Sequence, residues 1–179
     1  ESATETFVAL KLLVDNWRWA GVPFYLRTGK RLPKKVSEVS VHFREVPHMM
    51  FSDVSDQIRR NFIAIRIQPE EGISLRFGSK VPGMKIRVQP VKMNFEYGGA
   101  FASSSPDAYE RLLLDCINGD MTLFTHEQEA YHSWQLIDAI RTAWADGPKP
   151  DFPNYAPGTW GPDAADKLLL QDGRKWRRL

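Results

Sequence analysis

Alternation of apolar and polar residues predicts a series of β-strands in the first half of the chain. Apolar side chains recur at every second position over residues 39–43, 63–67, 73–77, 84–88 and 91–97. A period of two places the apolar residues of each strand on one face of a sheet. Since short turns separate most of these segments, the pattern indicates a mainly antiparallel sheet.

Two segments of this half are less regular. Residues 7–14 are apolar except for Lys11, and such a short run fits either a helix or a strand. Residues 45–60 contain Pro47, methionines and mixed charges, which predict a mobile connection.

The second half of the chain has the pattern of helices. Ser105 is the predicted N-cap of a first helix, Pro106 its first residue, and Asn118–Gly119 its end. Its predicted buried stripe consists of Leu112, Leu113, Cys116 and Ile117.

A second helix is predicted to begin after Thr125 and to stop at residues 146–148. Thr125 and Gln128 have the spacing of a capping box. The apolar residues of this helix that fall on one face are Ala130, Trp134, Ile137 and Ile140. Together with the strands, the two helices indicate the α+β class.

The last thirty residues are rich in Pro, Gly and Trp. The sequence predicts an extended segment up to Pro162, held to the body by Phe152, Tyr155 and Trp160. A short helix is predicted over residues 162–170, and the basic end, residues 174–179, is predicted to fray.

Composition and charge exclude several function classes. The 179 residues suffice for one sizeable core, and no apolar run approaches membrane-spanning length. A net charge of +2 does not indicate a nucleic-acid partner, although the basic end keeps a weak alternative of that kind. Cys116 is the only cysteine, so an internal disulfide is excluded; we expect a buried thiol and a reducing cytoplasm.

Metal and dinucleotide motifs are also missing. His126 and Glu129 are spaced as a helix-surface pair, and no further ligand pair lies near them in the sequence, so we predict no metal site. The chain contains no Gly-x-Gly-x-x-Gly motif and therefore no recognisable dinucleotide-binding fold.

The candidate chemistry lies in the segment from Arg27 to Lys35. A short apolar run ends in five cations, with Gly29 and Pro33 among them: Arg27, Lys30, Arg31, Lys34 and Lys35. Arginine and lysine donate charge-assisted hydrogen bonds to phosphate and sugar oxygens. The residues alone leave two readings open, a phosphate-binding loop or a solvated surface loop.

Four motifs, in order, resemble the glucose-6-phosphate dehydrogenase family. They are Trp-x-Gly-Val-Pro-Phe-x-x-Arg-x-Gly-Lys-x-Leu at 19–32, Arg-Ile-Gln-Pro at 66–69 with Lys-Val-Pro-Gly-Met at 80–84, Pro-Asp-Ala-Tyr-Glu-Arg-Leu at 106–112 continuing to Asp115, and Trp-Gly-Pro at 160–162. The chain resembles the C-terminal β+α half of that enzyme. The resemblance implies a strand over residues 7–14 and a large, mainly antiparallel sheet with helices packed on one face.

The resemblance also implies site residues. Lys30 and Lys35 match family positions that contact the bound sugar phosphate, and Gln68 matches a position near the substrate. Arg66 and Asp115 are expected to be structural ion-pair partners. No catalytic residue is expected in this chain.

Some members of the family hold a second, structural NADP in this half, and Arg27 matches a basic residue of that site. The other positions depart from the family pattern, with Val36, Ser40 and Ser74 where the family has cations or an aromatic residue and Asn94 where it has a carboxylate. We therefore predict that the structural nucleotide site is absent or very weak.

The function implied by the resemblance is oxidation of glucose 6-phosphate to a phosphogluconolactone with NADP, in which a His base acts. Residues 1–179 are expected to be the C-terminal substrate-binding and dimerisation domain, which dimerises through its sheet. NADP is expected to bind mainly to an N-terminal domain absent from this chain, so the piece alone is expected to be inactive. The alternative is an autonomous anion-binding or assembly module that shares the architecture.

Overall fold

The computed structural model describes residues 4–45, 60–101, 108–149 and 151–179. The chain divides into two compact units. The first comprises Glu1–Ala102 and Tyr155–Leu179, and the second comprises Ser103–Asn154. Most of the predicted connection at 45–60, together with the predicted Ser105 cap and Pro106, lies outside the described residues.

Two antiparallel strands open the first unit. β1 (Phe7–Leu13) pairs with β2 (Pro23–Gly29), so that Phe7 lies opposite Gly29 and Leu13 lies opposite Pro23. The strand that the resemblance implied for residues 7–14 is therefore confirmed. The pairing brings Thr6, just before β1, next to Lys30, just after β2.

A four-stranded antiparallel sheet follows, with its strands in chain order. Its members are β3 (Ser37–His42), β4 (Phe62–Gln68), β5 (Gly72–Lys80) and β6 (Val88–Glu96). The alternating segments at 63–67, 73–77 and 91–97 fall on these strands, although Tyr97 already opens a helix. The segment at 39–43 also forms a strand, which ends one residue early, at His42.

The strand predicted over residues 84–88 is wrong except for Val88. Gly83 has a φ of +133°, and the Lys80 ammonium donates to its carbonyl at 2.9 Å. The Val81 amide bonds the Arg87 carbonyl at 2.7 Å and closes the loop. Residues 81–87 therefore form the connection between β5 and β6, and their alternation has no sheet partner.

The two faces of the four-stranded sheet differ in exposure. On one face, Phe62, Ala64 and Ser74 are buried. On the other, a row of apolar residues crosses all four strands and stays 38% to 50% exposed: Val39, Ile65, Ile73 and Phe95. Within the described residues of the first unit, this apolar face is thus about half exposed.

Two of the next three helices begin and end close to the predicted positions, but their apolar faces are exposed. α1 (Tyr97–Phe101) is short and was not predicted, whereas α2 spans Ala108–Asn118 and α3 spans Glu127–Asp146. In α2 the predicted buried stripe is wrong: Leu112 is half-buried, Leu113 and Ile117 are 66% and 82% exposed, and Cys116 is exposed. Within the second unit, no described residue covers that stripe.

The predicted apolar face of α3 is exposed as well. None of its residues is buried, and Trp134 is 62% exposed. Its N-cap is His126 instead of Thr125, because the His126 ring Nδ1 accepts from the Gln128 amide at 3.2 Å. Its predicted end is confirmed, since the Gly147 amide caps the Trp144 carbonyl after Asp146.

The C-terminal stretch returns to the first unit. α4 (Asp163–Leu170) confirms the predicted short helix, and its Ala165 and Leu169 are buried. Phe152 is 69% exposed, so the predicted role for it as an anchor is wrong. The frayed end predicted for residues 174–179 is wrong too, because Arg174, Trp176 and Arg177 all hold contacts with the body of the unit. Among the described residues, no helix combines the length and hydropathy needed to cross a membrane.

Candidate functional site

The cationic loop begins where β2 ends. The Lys30 amide donates to the Thr6 carbonyl at 2.8 Å, which extends the β1–β2 pairing by one step. Gly29 is required here because a Cβ atom at this position would lie 2.6 Å from the Phe7 ring. The side chains of Lys30 and Lys35 are exposed and free to meet a ligand from solvent.

Tyr155 holds the first part of the loop. Its hydroxyl lies 3.2 Å from the Lys30 carbonyl, 3.1 Å from the Thr6 carbonyl and 3.3 Å from the Thr6 hydroxyl. One proton serves one of these acceptors at a time. The Tyr155 ring also packs against the Phe7 ring, with centroids 5.6 Å apart. The predicted role of Tyr155 as an anchor is confirmed.

Gln68 lies near the other end of the loop. Its amide nitrogen donates to the Ser37 hydroxyl at 2.7 Å, and Ser37 opens β3 two residues after Lys35. The structure thus brings Gln68 to the part of the loop that carries Lys35. Lys30 directly follows β2 of the two-stranded sheet and lies at the opposite end of the same loop.

Arg27, near the end of β2, packs against two indole rings. Its guanidinium carbon is 5.0 Å from the Trp160 ring centre and 4.7 Å from that of Trp176. Burial lowers the pKa of Arg27, and the nearby Asp166 carboxylate opposes that change. An open cavity of about 360 Å³ adjoins this stack and is lined by further cations, Lys175, Arg177 and Arg178.

Three of the positions that depart from the family pattern, Ser40, Ser74 and Asn94, bond to neighbouring side chains. The Ser74 hydroxyl, on a buried residue, donates to the Asn94 side-chain oxygen at 2.7 Å. The Ser40 hydroxyl lies 3.1 Å from the His42 ring nitrogen Nε2. Neither the two serines nor Asn94 supplies a cation for a phosphate group. The absence of a structural NADP site stays a prediction.

The end of the chain reaches the start of β3. The Arg177 guanidinium bonds both carboxylate oxygens of Glu38, at 2.6 Å for Oε1. The Glu38 side chain is only 3% exposed, so this ion pair is largely desolvated. The Lys34 ammonium donates to the Leu179 carbonyl at 3.1 Å. Sequence reasoning missed these contacts, since they join residues more than a hundred positions apart.

A second polar group ties α4 and the residues after it to β1 and β2. Asp172 forms an ion pair with Lys11 at 2.7 Å and accepts from the Tyr25 hydroxyl. Arg174 donates to the Tyr25 oxygen at 2.9 Å. Hydrogen bonds from Lys11 and Tyr25 lower the pKa of Asp172, and the bond with Asp172 raises the pKa of Lys11.

The structural roles predicted for Arg66 and Asp115 are confirmed. Arg66 pairs with Glu96 at 3.4 Å and with Glu70 at 3.9 Å. Asp115, which is buried, accepts two bonds from the Arg111 guanidinium at 2.9 and 3.0 Å.

The architecture defines the class: an α+β protein whose antiparallel sheets present an exposed cationic loop. The family described as glucose-6-phosphate dehydrogenase, C-terminal domain, matches residues 1–177. The chain therefore belongs to this family, and both the resemblance and the predicted fold class are confirmed.

Relatives and solved structures agree. The chain is 49% identical to glucose-6-phosphate 1-dehydrogenase 2 of Mycobacterium bovis, with 99% of the chain and 34% of the relative covered. It is 48% identical to glucose-6-phosphate 1-dehydrogenase of Chlamydia pneumoniae, with 100% and 36% covered. The chain thus spans about a third of the length of these relatives.

Two solved structures share the fold. One is a glucose-6-phosphate dehydrogenase in complex with its substrate glucose-6-phosphate, with a TM-score of 0.82, 32% identity, and coverage of 97% of this chain and 35% of that one. The other is the enzyme from Mycobacterium avium, with a TM-score of 0.81, 35% identity, and coverage of 100% and 36%.

Proposed function

We propose that this chain is the C-terminal part of an enzyme that oxidises glucose 6-phosphate to 6-phosphogluconolactone with NADP. The observation that carries the proposal is the family match over residues 1–177, because that match includes the loop bearing Lys30 and Lys35. Residues 1–179 then form a substrate-binding and dimerisation domain. The chain supplies contacts to the sugar phosphate and no catalytic base.

The chain's own residues bind and orient the substrate. The exposed ammonium groups of Lys30 and Lys35 donate to phosphate or hydroxyl oxygens. An ammonium is a compact point charge and lacks the planar two-nitrogen geometry of a guanidinium. The Gln68 amide is already bonded to Ser37, so its remaining donor and its oxygen are what it offers to a sugar hydroxyl. When bound, NADP would supply the hydride acceptor; since this chain contains no Gly-x-Gly-x-x-Gly motif, residues outside it would hold most of the cofactor.

Lys30→Ala in the full-length enzyme tests the substrate role. A hydrogen bond to a charged group contributes about 1.5–3 kcal/mol, which corresponds to a roughly 10- to 150-fold loss in kcat/KM for glucose 6-phosphate. The KM for NADP is expected to change less than twofold. Lys85→Ala is the control, because it removes the same charge from an exposed site on the 81–87 loop. A Lys30→Ala enzyme with unaltered sugar-phosphate kinetics refutes the proposal.

Dimerisation through the sheet is part of the same proposal. The exposed apolar row on β3–β6 supports it, because contiguous apolar surface of this kind marks interaction sites. Ile73→Lys in the full-length protein is expected to shift the mass measured by light scattering from dimer to monomer. Ile86→Lys, on the exposed 81–87 loop, is the control and is expected to leave the mass unchanged. Unchanged dimers in the Ile73→Lys protein count against the sheet as the interface.

The remaining elements of the proposal concern activity and location. The chain alone is expected to produce no NADPH, as measured by absorbance with substrate and NADP, because the base and the nucleotide site lie outside it. NADPH production by the pure chain favours an autonomous module instead. A reducing, cytoplasmic location fits a sequence whose only cysteine, Cys116, is exposed, and cell fractionation tests it.

A further inference from the structure

Both ends of the Lys30–Lys35 loop are held by two adjacent residues near the end of the chain. Three residues before Lys30, the Arg27 guanidinium packs on the Trp176 ring at 4.7 Å. Three residues after Lys35, the Glu38 carboxylate is bonded by Arg177 through both oxygens. The adjacent residues Trp176 and Arg177 therefore hold Arg27, before the loop, and Glu38, after it.

The middle of the loop is held by the stretch just before α4. The Gly158 amide donates to the Arg31 carbonyl at 2.8 Å, and the Tyr155 hydroxyl lies within bonding distance of the Lys30 carbonyl. Arg31 has a φ of +53°, a conformation that costs a side-chain-bearing residue about 1–3 kcal/mol and that persists only where the surroundings impose it. The bond from Gly158 to the Arg31 carbonyl and the contact of Tyr155 with the Lys30 carbonyl hold this part of the loop.

The anchoring contacts are of a kind that sets position accurately. The Arg177 side chain is 22% exposed and that of Glu38 is 3% exposed, so water competes weakly for this pair. One guanidinium nitrogen, Nη1, contacts both carboxylate oxygens of Glu38, and the guanidinium carbon of Arg177 lies 5.2 Å from the Phe62 ring centre, so two separate contacts hold this side chain. The Trp176 indole is itself oriented, because its N–H donates to the Ala165 carbonyl of α4 at 3.0 Å.

We propose that Trp176 and Arg177 are positioning residues for the sugar phosphate: they touch no substrate, and they hold the loop so that Lys30 and Lys35 meet it together. This inference rests on the proposed function of the loop. Lysine stems are long and flexible, so their ammonium groups converge on one ligand only if the backbone that carries them is fixed. Ordering a loose loop at the moment of binding lowers affinity.

A paired substitution separates positioning from stability. In the full-length enzyme, Arg177→Met leaves the Glu38 carboxylate buried without its partner and is expected to lower the melting temperature. Adding Glu38→Gln removes that charge, leaves the net charge of the parent, and is expected to restore most of the melting temperature. The ion pair between residue 177 and residue 38 of β3 stays broken in the double variant. Its KM for glucose 6-phosphate is therefore expected to remain at least fivefold above the parent value, while kcat and the KM for NADP change less than twofold.

Controls and a second variant make the outcome decisive. Arg178→Met removes the same charge from the exposed neighbouring residue and is expected to leave the KM within twofold. Arg177→Lys keeps the charge but loses the planar guanidinium that lies over the Phe62 ring and reaches Glu38, and it is expected to raise the KM with little change in melting temperature. This variant decides the question if the double variant does not fold.

Each result has one meaning. A KM that returns to the parent value with the melting temperature in the double variant overturns the positioning role and leaves a structural one. If Lys30→Ala raises the KM and neither the double variant nor Arg177→Lys does, the positioning proposal is wrong and the proposed function stands. If Lys30→Ala has no effect, the proposed function fails first, and the positioning role fails with it.

Discussion

Gly161 lies at the point where the C-terminal segment crosses β1. Its φ is +105°, a conformation that residues with side chains rarely adopt. A Cβ atom built on Gly161 would lie 2.3 Å from Cε2, 2.5 Å from Cζ and 2.9 Å from Cδ2 of the Phe7 ring. The same ring packs against Tyr155, which holds the Lys30 carbonyl. Gly161→Ala therefore strains the backbone and displaces a ring beneath the cationic loop.

The expected loss of stability has two parts. A side-chain-bearing residue in this backbone region costs about 1–3 kcal/mol. Forcing an added methyl group into a packed ring costs about 1–3 kcal/mol more. The free energy of unfolding is thus expected to fall by about 2–6 kcal/mol, which lowers the melting temperature by roughly 4–24 °C for a chain of this size.

Substitutions at two other glycines separate the backbone cost from the steric cost. Thermal unfolding followed by tryptophan fluorescence measures the stability of each variant. Gly173 has a φ of +66° and open space where a Cβ would go, so Gly173→Ala isolates the backbone cost, about 1–2 kcal/mol. Gly98 lies in α1, also has open space, and has no positive φ, so Gly98→Ala is expected to be neutral or to stabilise by up to about 1 kcal/mol. In the Gly161→Ala background, Phe7→Leu is expected to recover part of the loss by making room.

The reasoning is refuted if Gly161→Ala melts within about 1 °C of the parent. A loss equal to that of Gly173→Ala, with no recovery by Phe7→Leu, contradicts the steric part alone. The close approach of Phe7 and Gly161 then does not limit stability.

Other predictions concern protons and the thiol. Because the folded pKa of Asp172 lies below its ordinary 3.8, the stability it adds is complete above about pH 4 and is lost as the pH falls through the folded pKa. The stability gap between the parent and Asp172→Asn should therefore narrow in acid unfolding curves, and a gap that widens contradicts the pairing with Lys11 and Tyr25. Burial first, and then neighbouring arginines, lower the pKa of His42 from 6.5. The unfolded chain then binds more protons below about pH 6.5, so stability should fall in that range and should fall less in His42→Gln. Cys116 should react with a thiol reagent in the native chain at a rate close to that of a free thiol, and protection until unfolding contradicts its exposure.

The strands were largely predictable from the sequence, because a half-buried strand needs only a period of two to display its apolar face. Residues 63–67 and 73–77 behave in this way. The strand predicted for residues 84–88 is not formed although these residues alternate, because Gly83 turns the chain and the Lys80 ammonium bonds the Gly83 carbonyl within the same loop. Alternation records which side chains are apolar, and it does not record whether a neighbouring strand is within reach.

The helices show a second limit. The positions of α2 and α3 were predictable because caps and stops are local features of the chain. The burial of their apolar faces was not, since a hydrophobic stripe indicates that something must cover it without indicating what. Leu113, Ile117 and Trp134 stay exposed in this chain. The second unit by itself does not cover them.

The cationic loop shows what the sequence determined and what only the tertiary structure decided. The sequence placed Lys30 and Lys35 on a short connection after a strand, because an apolar run followed by Gly29 and cations is a local pattern. Their anchors were beyond such reasoning. Arg177 meets Glu38 across 139 positions, and Tyr155 meets Lys30 across 125. Contacts at that separation depend on how the strands, α4 and residues 171–179 pack against one another, so no periodicity along the chain encodes them.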